Sequence, residues 1–419
     1  MPLEFSDFGA RFSRRTGALE LMDDLGRAMA GGEDVSLLGG GNPAKIPEML
    51  QLLGRRLAEI AADPRSLERM VANYAHPAGD IEFRRALARL LRREHGWPLT
   101  EANIAVTAGS QAAFFLLFNL FAGRRADGRV RKLLLPMTPE YVGYADVGLD
   151  PDLVTARRPA IDELPGNTFK YRVDFDSLTV DDDVAAVCVS RPSNPTGNVL
   201  TGDELARLSR LCADAGVPLI LDNAYGLPFP GIVFTDAAPI WDENIVLCLS
   251  LSKLGLPGVR TGIVVAREEV IDALTNATAV LNLAVGSVGP VIVQPWIESG
   301  EITAISRRSV MPYYREKALR TRERLERELA GVPFRIHVPE GGFFLWLWLP
   351  GLPITSAELY RRLKAAGVLV LSGHYFFPGL AEPWRHRDEC VRISFAQDDE
   401  VVARGIRVLV REVRAAFVG

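Results

Sequence analysis

Residues 184–222 read VAAVCVSRPSNPTGNVLTGDELARLSRLCADAGVPLILD. Two short runs, VAAVCVS and VPLILD, are apolar throughout rather than alternating, as strands covered on both faces are. Between them Thr201 and Glu204 have the spacing of a capping box, and Gly216 with Pro218 ends the helix it starts. Working outward, NIAVTAGS runs through a turn into the helix QAAFFLLFNLF, and KLLLPM, NIVLCLS and GIVVA repeat the texture of a buried strand. Strands alternating with helices predict an α/β fold, a large mainly parallel sheet with helices on both faces.

After about residue 300 the texture changes to a long charged helix, FFLWLWL, a second helix, VLVLS, VRISFA and a last helix. That order predicts a smaller C-terminal α+β domain. The expected division is an N-terminal arm at 1–40 packing on the small domain, a large domain at 41–300 and a small domain at 301–419. The arm holds some amphipathic helix and ends in LLGGGNPAKIP, whose consecutive glycines let the backbone approach something closely.

A chain of 419 residues has room for two domains with substantial cores. Hydrophobic residues make up 48% and charged residues 24%, so the whole chain should fold. The net charge of −4 suggests no polyanion partner. Arg124, Arg125, Arg129, Arg131 and Lys132 cluster without interleaved aromatics between glycines, which reads as a solvated turn rather than a nucleic-acid patch. The four cysteines are far apart and two sit in apolar runs, so neither a disulfide framework nor a metal site is expected. Acidic residues in MPLEFSDFGARFSRR argue against a signal peptide and for the cytoplasm. Residues 273–297 carry no charge, but glycines, prolines and amides interrupt them, so a buried helix and turn is expected rather than a membrane span.

Polar side chains mark the ends of the apolar strands. Lys253 follows NIVLCLS in SLSKLGLPGVRTG, with no helix face or charge run around it. Ser250 and Ser252 precede it and Arg260 follows, so hydroxyls and a guanidinium could converge on one phosphate. A lysine nucleophile must be neutral, and burial beside other cations would lower its pKa. Asp222 closes VPLILD, Tyr225 follows in DNAYG, and Asn194 lies in RPSNPTG at another strand end. In TAGSQ the backbone N–H groups of Gly109, Ser110 and Gln111 open a helix and face a ready anion site. Arg392, in the late strand VRISFA, offers a fork suited to a carboxylate. Taken singly these are a surface lysine, a helix cap, a turn and an edge-strand charge. Together they match what a pyridine-ring cofactor needs to labilise an amino acid: an imine-forming lysine, an anion for the ring nitrogen, and donors for the ring oxygen and phosphate.

YAHPAG, TAGSQ, PEY, RPSNPTG, DNAYG, SLSK with PGVR, and RISFA occur in that order, and the set resembles the class I and II aminotransferases of fold type I from roughly Gly39 to the C-terminus. The resemblance implies pyridoxal 5'-phosphate as cofactor, with Lys253 as Schiff-base lysine and proton shuttle and Asp222 as partner of the pyridine nitrogen. Asn194 and Tyr225 would meet the ring oxygen. Ser110, Gln111, Ser250 and Arg260 would hold the phosphate, with Gly109 and Ser252 in the same two turns. Tyr141 would stack on the ring, with Tyr144 as the alternative, and Tyr74 would reach the phosphate of a neighbouring subunit. Arg392 would hold the substrate carboxylate beside Gly41, with Gly39 and Gly40 in line. A homodimer with shared active sites, small amino-acid and 2-oxo-acid substrates, and neither nucleic acid nor membrane as partner are further implications. Longer stretches, among them LLGGGNPAKIPEM, FNLFAGRRADGRV, DNAYGLPFPGI and LCLSLSKLGLPG, resemble the branch that exchanges amine between valine and pyruvate. A lyase on the same cofactor is the nearest rival. A regulator that borrows the fold would need a DNA-binding module, and the forty residues before the glycine-rich loop are too few for a winged helix.

Overall fold

The computed structural model describes residues 3–14, 23, 26 and 35–418. Its larger sheet runs, in spatial order, Ile104–Thr107, Gly262–Val265, Ile245–Ser250, Leu219–Asp222, Val184–Ser190, Val130–Leu135 and Gly123–Arg124, with Val154–Ala156 paired beside Val130–Leu135. The four central strands from Ile245–Ser250 to Val130–Leu135 are mutually parallel. Gly262–Val265 runs antiparallel to both neighbours, and the short Gly123–Arg124 is antiparallel too. Every residue of the strands at 104–107, 184–190, 219–222, 245–250 and 262–265 is buried, as their unbroken apolar runs predict.

The helix Gly202–Asp214 begins with the expected reciprocal cap between Thr201 and Glu204. Its partner crossing, Ser110–Phe121, starts where Gly109 turns with φ of 88° out of the strand Ile104–Thr107. Because the central strands are parallel, Ser190, Asp222 and Ser250 lie at one carboxyl edge: Ser190 and Cys248 both stand opposite Asp222 in the register.

The smaller sheet is ordered Leu371–Ser372, Cys390–Ser394, Phe344–Trp348, Arg335–His337, Thr168–Arg172 and Ala160–Leu164. The chain thus has the large α/β sheet and the smaller C-terminal α+β region that its sequence predicts. One hairpin comes from mid-chain: Thr168–Arg172 pairs in parallel with Arg335–His337 and carries Ala160–Leu164 on its outer edge. Ser36–Leu37 pairs with Val368–Leu369. Of the amphipathic helix expected in the first forty residues, Asp7–Phe12 is seen, and the rest lies outside the described residues.

The uncharged stretch 273–297 forms two helical pieces, the end of Glu268–Asn282 and most of Val288–Ser299, about a bend in which Leu283 has φ of 62°. Pro290 lies in the first turn of the second helix, where no N–H partner is lost, and Pro295 is accommodated inside that helix. Among the described residues no helix is long and apolar enough to cross a membrane.

Candidate active site

A cavity of about 250 Å³ opens at the carboxyl edge of the large sheet, where open α/β sheets hold their ligands. Gly41, Ser110, Gln111, Tyr141, Asn194, Asp222, Tyr225, Ser250, Ser252, Lys253, Arg260 and Arg392 all line it. They come from segments spread over most of the chain, so the fold brings together what the sequence leaves apart. Gly109 stands directly behind Arg260, since a Cβ there would lie 2.3 Å from Nη2. Tyr74 is exposed and does not line this cavity.

Lys253 sits in a single turn, Ser252–Leu254, just past the strand Ile245–Ser250. Its Nζ donates to the carbonyl of Gly41 at 2.8 Å and lies 5.3 Å from the centre of the Tyr225 ring. Burial pushes its pKa down to about 8, the charges of Arg392 and Arg260 push the same way, and Asp222 opposes them. Asp222 accepts from the Tyr144 hydroxyl at 2.7 Å on one oxygen and from the Ala224 N–H at 2.9 Å on the other. Burial raises its pKa, against the hydrogen bonds from Tyr144 and Ala224 and the charge of Lys253. Tyr141 meets Tyr144 edge-on at 5.3 Å, and only Tyr141 of the two lines the cavity.

At the other end is a cradle of donors. Ser110 opens the helix Ser110–Phe121, and its free N–H groups face outward from the turn at Gly109. Gly262 is pressed so close that a Cβ would come within 2.7 Å of the Ser110 nitrogen. Arg260, held in the left-handed region with φ of 47°, donates to the Pro257 carbonyl at 3.3 Å and reaches Ser252 Oγ at 3.5 Å. Ser250 Oγ accepts from the Ser252 N–H at 3.1 Å.

Arg392 is buried, its Nη1 donating to Asn194 Oδ1 and its Nη2 to the Gly39 carbonyl, both at 2.7 Å. The guanidinium lies 3.9 Å from the centre of the Phe344 ring, and among the described residues its Nε has no partner. Burial pushes its pKa down to about 10, against the raising influence of Tyr225 and Tyr141. Among the described residues no carboxylate pairs with it. A buried cation in this state is costly and is ready for an anion of matching shape.

Several participants escape a reading of the sequence. Tyr144 figures there only as a rival to Tyr141, yet the spacing in PEYVGY already offered two phenols. Glu140, just before Tyr141, accepts from the Ser190 N–H at 2.9 Å and from its hydroxyl. Burial pushes Glu140 up to about 8, against those hydrogen bonds. Phe343 and Phe344 wall the space around Tyr225 and Arg392, but as part of FFLWLWL they look like ordinary core.

Residues 50–409 match the family model described as aminotransferase class I and II. The valine–pyruvate aminotransferase of Escherichia coli K12 is 46% identical over 415 residues, covering 99% of each chain. The solved structure of valine-pyruvate aminotransferase from Salmonella typhimurium LT2 superposes with a TM-score of 0.89 at 44% identity, covering 96% of this chain and 99% of that one. A solved chain from Psychrobacter arcticum 273-4 gives a TM-score of 0.96 at 43% identity over 99% of both. The chain belongs to the class I and II aminotransferases, the pyridoxal-phosphate-dependent enzymes of fold type I that exchange amine between amino acids and 2-oxo acids.

Proposed function

We propose that this enzyme transfers the amine of valine, or of a similar neutral aliphatic amino acid, to pyruvate, giving 2-oxoisovalerate and alanine. The observation that carries the reading is the buried Arg392, paired with no carboxylate among the described residues, lining one small cavity with a half-buried Lys253. The similarity to the two valine-pyruvate enzymes supports the choice of substrates.

The donor set fits pyridoxal phosphate: a cation and helix N-terminus for the phosphate, a buried carboxylate for the ring nitrogen and an amine with a lowered pKa. Ser110, Gln111, Ser250, Ser252 and Arg260 would hold the phosphate, with Gly109 giving Arg260 its room. Asp222 would face the ring nitrogen, Asn194 and Tyr225 the ring oxygen, and Tyr141 the ring itself. Bound there, the cofactor supplies an electron sink for the charge that develops on the substrate α-carbon.

Arg392 holds the substrate carboxylate and fixes the α-carbon's orientation, and Asn194 keeps the guanidinium from swinging. The Nζ of Lys253, neutral in an appreciable fraction near pH 7, takes the α-proton and returns it at a neighbouring atom. Asp222 keeps a negative charge beside the ring nitrogen, with Tyr144 holding one carboxylate oxygen in place. A shared-site homodimer, with Tyr74 reaching into the partner's phosphate site, belongs to the same reading, as does the division into an arm (1–40), a large domain (41–300) and a small domain (301–419).

The test is a screen of amino donors against pyruvate. Valine should yield alanine and 2-oxoisovalerate in equal amounts. Alanine formed without an equal amount of 2-oxo acid, or loss of carbon dioxide from the donor, would instead mark a lyase.

A further inference from the structure

Asn194 holds Arg392, and what holds Asn194 is a buried ion pair outside the cavity. Asn194 sits on a tight loop closed by two backbone hydrogen bonds, Ser193 N–H to the Asn198 carbonyl and Gly197 N–H to the Ser193 carbonyl, both at 2.8 Å. The chain leaves that loop at Val199, and both polar groups of Val199 are tied by side chains. Its N–H donates to Glu340 Oε2 at 2.9 Å, and its carbonyl accepts from Lys170 Nζ at 3.0 Å. Lys170 and Glu340 are themselves hydrogen-bonded, and both side chains are largely buried. Burial lowers the Lys170 pKa, while the Glu340 charge beside it raises it.

The three partners belong to different parts of the fold. Lys170 lies on the mid-chain strand Thr168–Arg172 of the smaller sheet, and Val199 leads away from the large-sheet strand Val184–Ser190. Glu340 opens the segment that enters the small-sheet strand Phe344–Trp348, in which Trp346 stands opposite Arg392. Backbone contact allows no slack between the two loops, since a Cβ on Gly197 would fall 2.7 Å from the Gly341 carbonyl and one on Gly341 2.3 Å from Pro192 Cγ.

We propose that Lys170 and Glu340 are positioning residues for substrate: by clamping Val199 they set where the Asn194 amide meets Arg392, and so how firmly the α-carboxylate is held. Neither lines the cavity, and neither touches Arg392 or Asn194 directly. The proposal rests on the reading of Arg392 and Asn194 as the carboxylate site. A purely structural ion pair would act on stability alone, whereas a clamp acts through Asn194.

Substitutions should avoid leaving one buried charge unpaired. In Lys170→Met/Glu340→Gln both charges are gone but an oxygen remains to accept from Val199. In Lys170→Met/Glu340→Ala that acceptor is lost. We expect the Ala pair to raise KM for both amino acid and 2-oxo acid about tenfold relative to the Gln pair, about 1.4 kcal/mol, with a smaller change in kcat and unchanged cofactor content. Repeated in an Asn194→Ala background, the difference between the two pairs should vanish. If the Ala pair fails to fold, Glu340→Asp keeps the charge, shortens the reach by one methylene, and should raise KM in the same direction only when Asn194 is present. Equal KM for the Gln and Ala pairs, or for Glu340→Asp and the parent enzyme, or a difference that survives Asn194→Ala, overturns the clamp. Failure of the underlying reading looks different: Arg392→Met would then leave KM unchanged whatever stands at 340.

Discussion

Lys253 is the residue whose chemistry is most directly set by its surroundings. A free lysine with pKa near 10.4 is neutral in only about one molecule in a few thousand at pH 7, whereas a value of about 8 makes it neutral in about one in ten. The shift is downward, so the neutral, nucleophilic form gains as pH rises and saturates above the folded value. Capture of pyridoxal phosphate by the cofactor-free protein should therefore speed up about tenfold per pH unit below about pH 8 and level off above it. Absorbance in stopped flow checks this, and a rate still climbing at pH 10 would mean that burial and the two arginines do not act on this amine. Borohydride reduction should leave the cofactor on the Lys253 peptide. Asp222→Ala should lose far more turnover than bound cofactor, because the phosphate cradle is untouched while the carboxylate held by Tyr144 and Ala224 is gone. Near-normal turnover in that variant would remove Asp222 from the reaction. These residues were legible because each is a polar group closing an apolar run, a pattern that costs free energy unless a ligand or partner repays it. Tyr144 and Glu140 were less so, since their partners Asp222 and Ser190 are distant in sequence and adjacent only through the sheet register.

Elements show the same division between local and distant causes. The strands Val184–Ser190, Leu219–Asp222 and Ile245–Ser250 and the capped helix Gly202–Asp214 could be read directly, because burial on both faces and a reciprocal cap leave local marks. The hairpin at 160–172 could not. Its outer strand, AIDEL, is mostly exposed, and its inner strand takes its partner from Arg335–His337, far along the chain. The turn between Ile104–Thr107 and Ser110–Phe121 is the element on which cofactor binding should depend most. Gly109→Ala places a methyl group 2.3 Å from Arg260 Nη2 at a φ of 88°. With φ of 88° and ψ of 160°, a region almost confined to glycine, the backbone alone costs an alanine about 1–3 kcal/mol, and Arg260 must also move away. The variant should fold with a modestly lowered Tm and bind pyridoxal phosphate at least about tenfold more weakly, an affinity change of about 1.4 kcal/mol measured by titrating the cofactor-free protein. Unchanged affinity would show that Arg260 does not serve the phosphate.

At the scale of the whole molecule, several large apolar residues stand exposed on the surface. Val71, Tyr74, Val280, Leu281 and Leu283 are all exposed, with Val280 at 90% and Tyr74 at 87%. Gathered into one patch by a second copy, such residues would be buried favourably. If the active site is shared across a two-fold axis, sedimentation should show a homodimer, and Tyr74→Phe should weaken cofactor retention without unfolding the protein. A shared site would bear on substrate choice, because residues 268–306, which carry Val280, Leu281 and Leu283, contain neither Arg nor Lys. A segment of that composition, presented to a neighbour's cavity, offers small and apolar groups to the substrate side chain. Valine gains about 1.5–3 kcal/mol from burying its side chain there, whereas a second carboxylate would be buried without a partner at a cost of several kcal/mol. In the proposed site Arg392 takes the first carboxylate, and Arg260 and Lys253 the cofactor. The kcat/KM for pyruvate should therefore exceed that for 2-oxoglutarate by a hundredfold or more, about 2.7 kcal/mol, and valine should exceed aspartate in the same sense. A higher value for 2-oxoglutarate than for pyruvate would sink the proposed substrate pair and leave membership of the aminotransferase family standing.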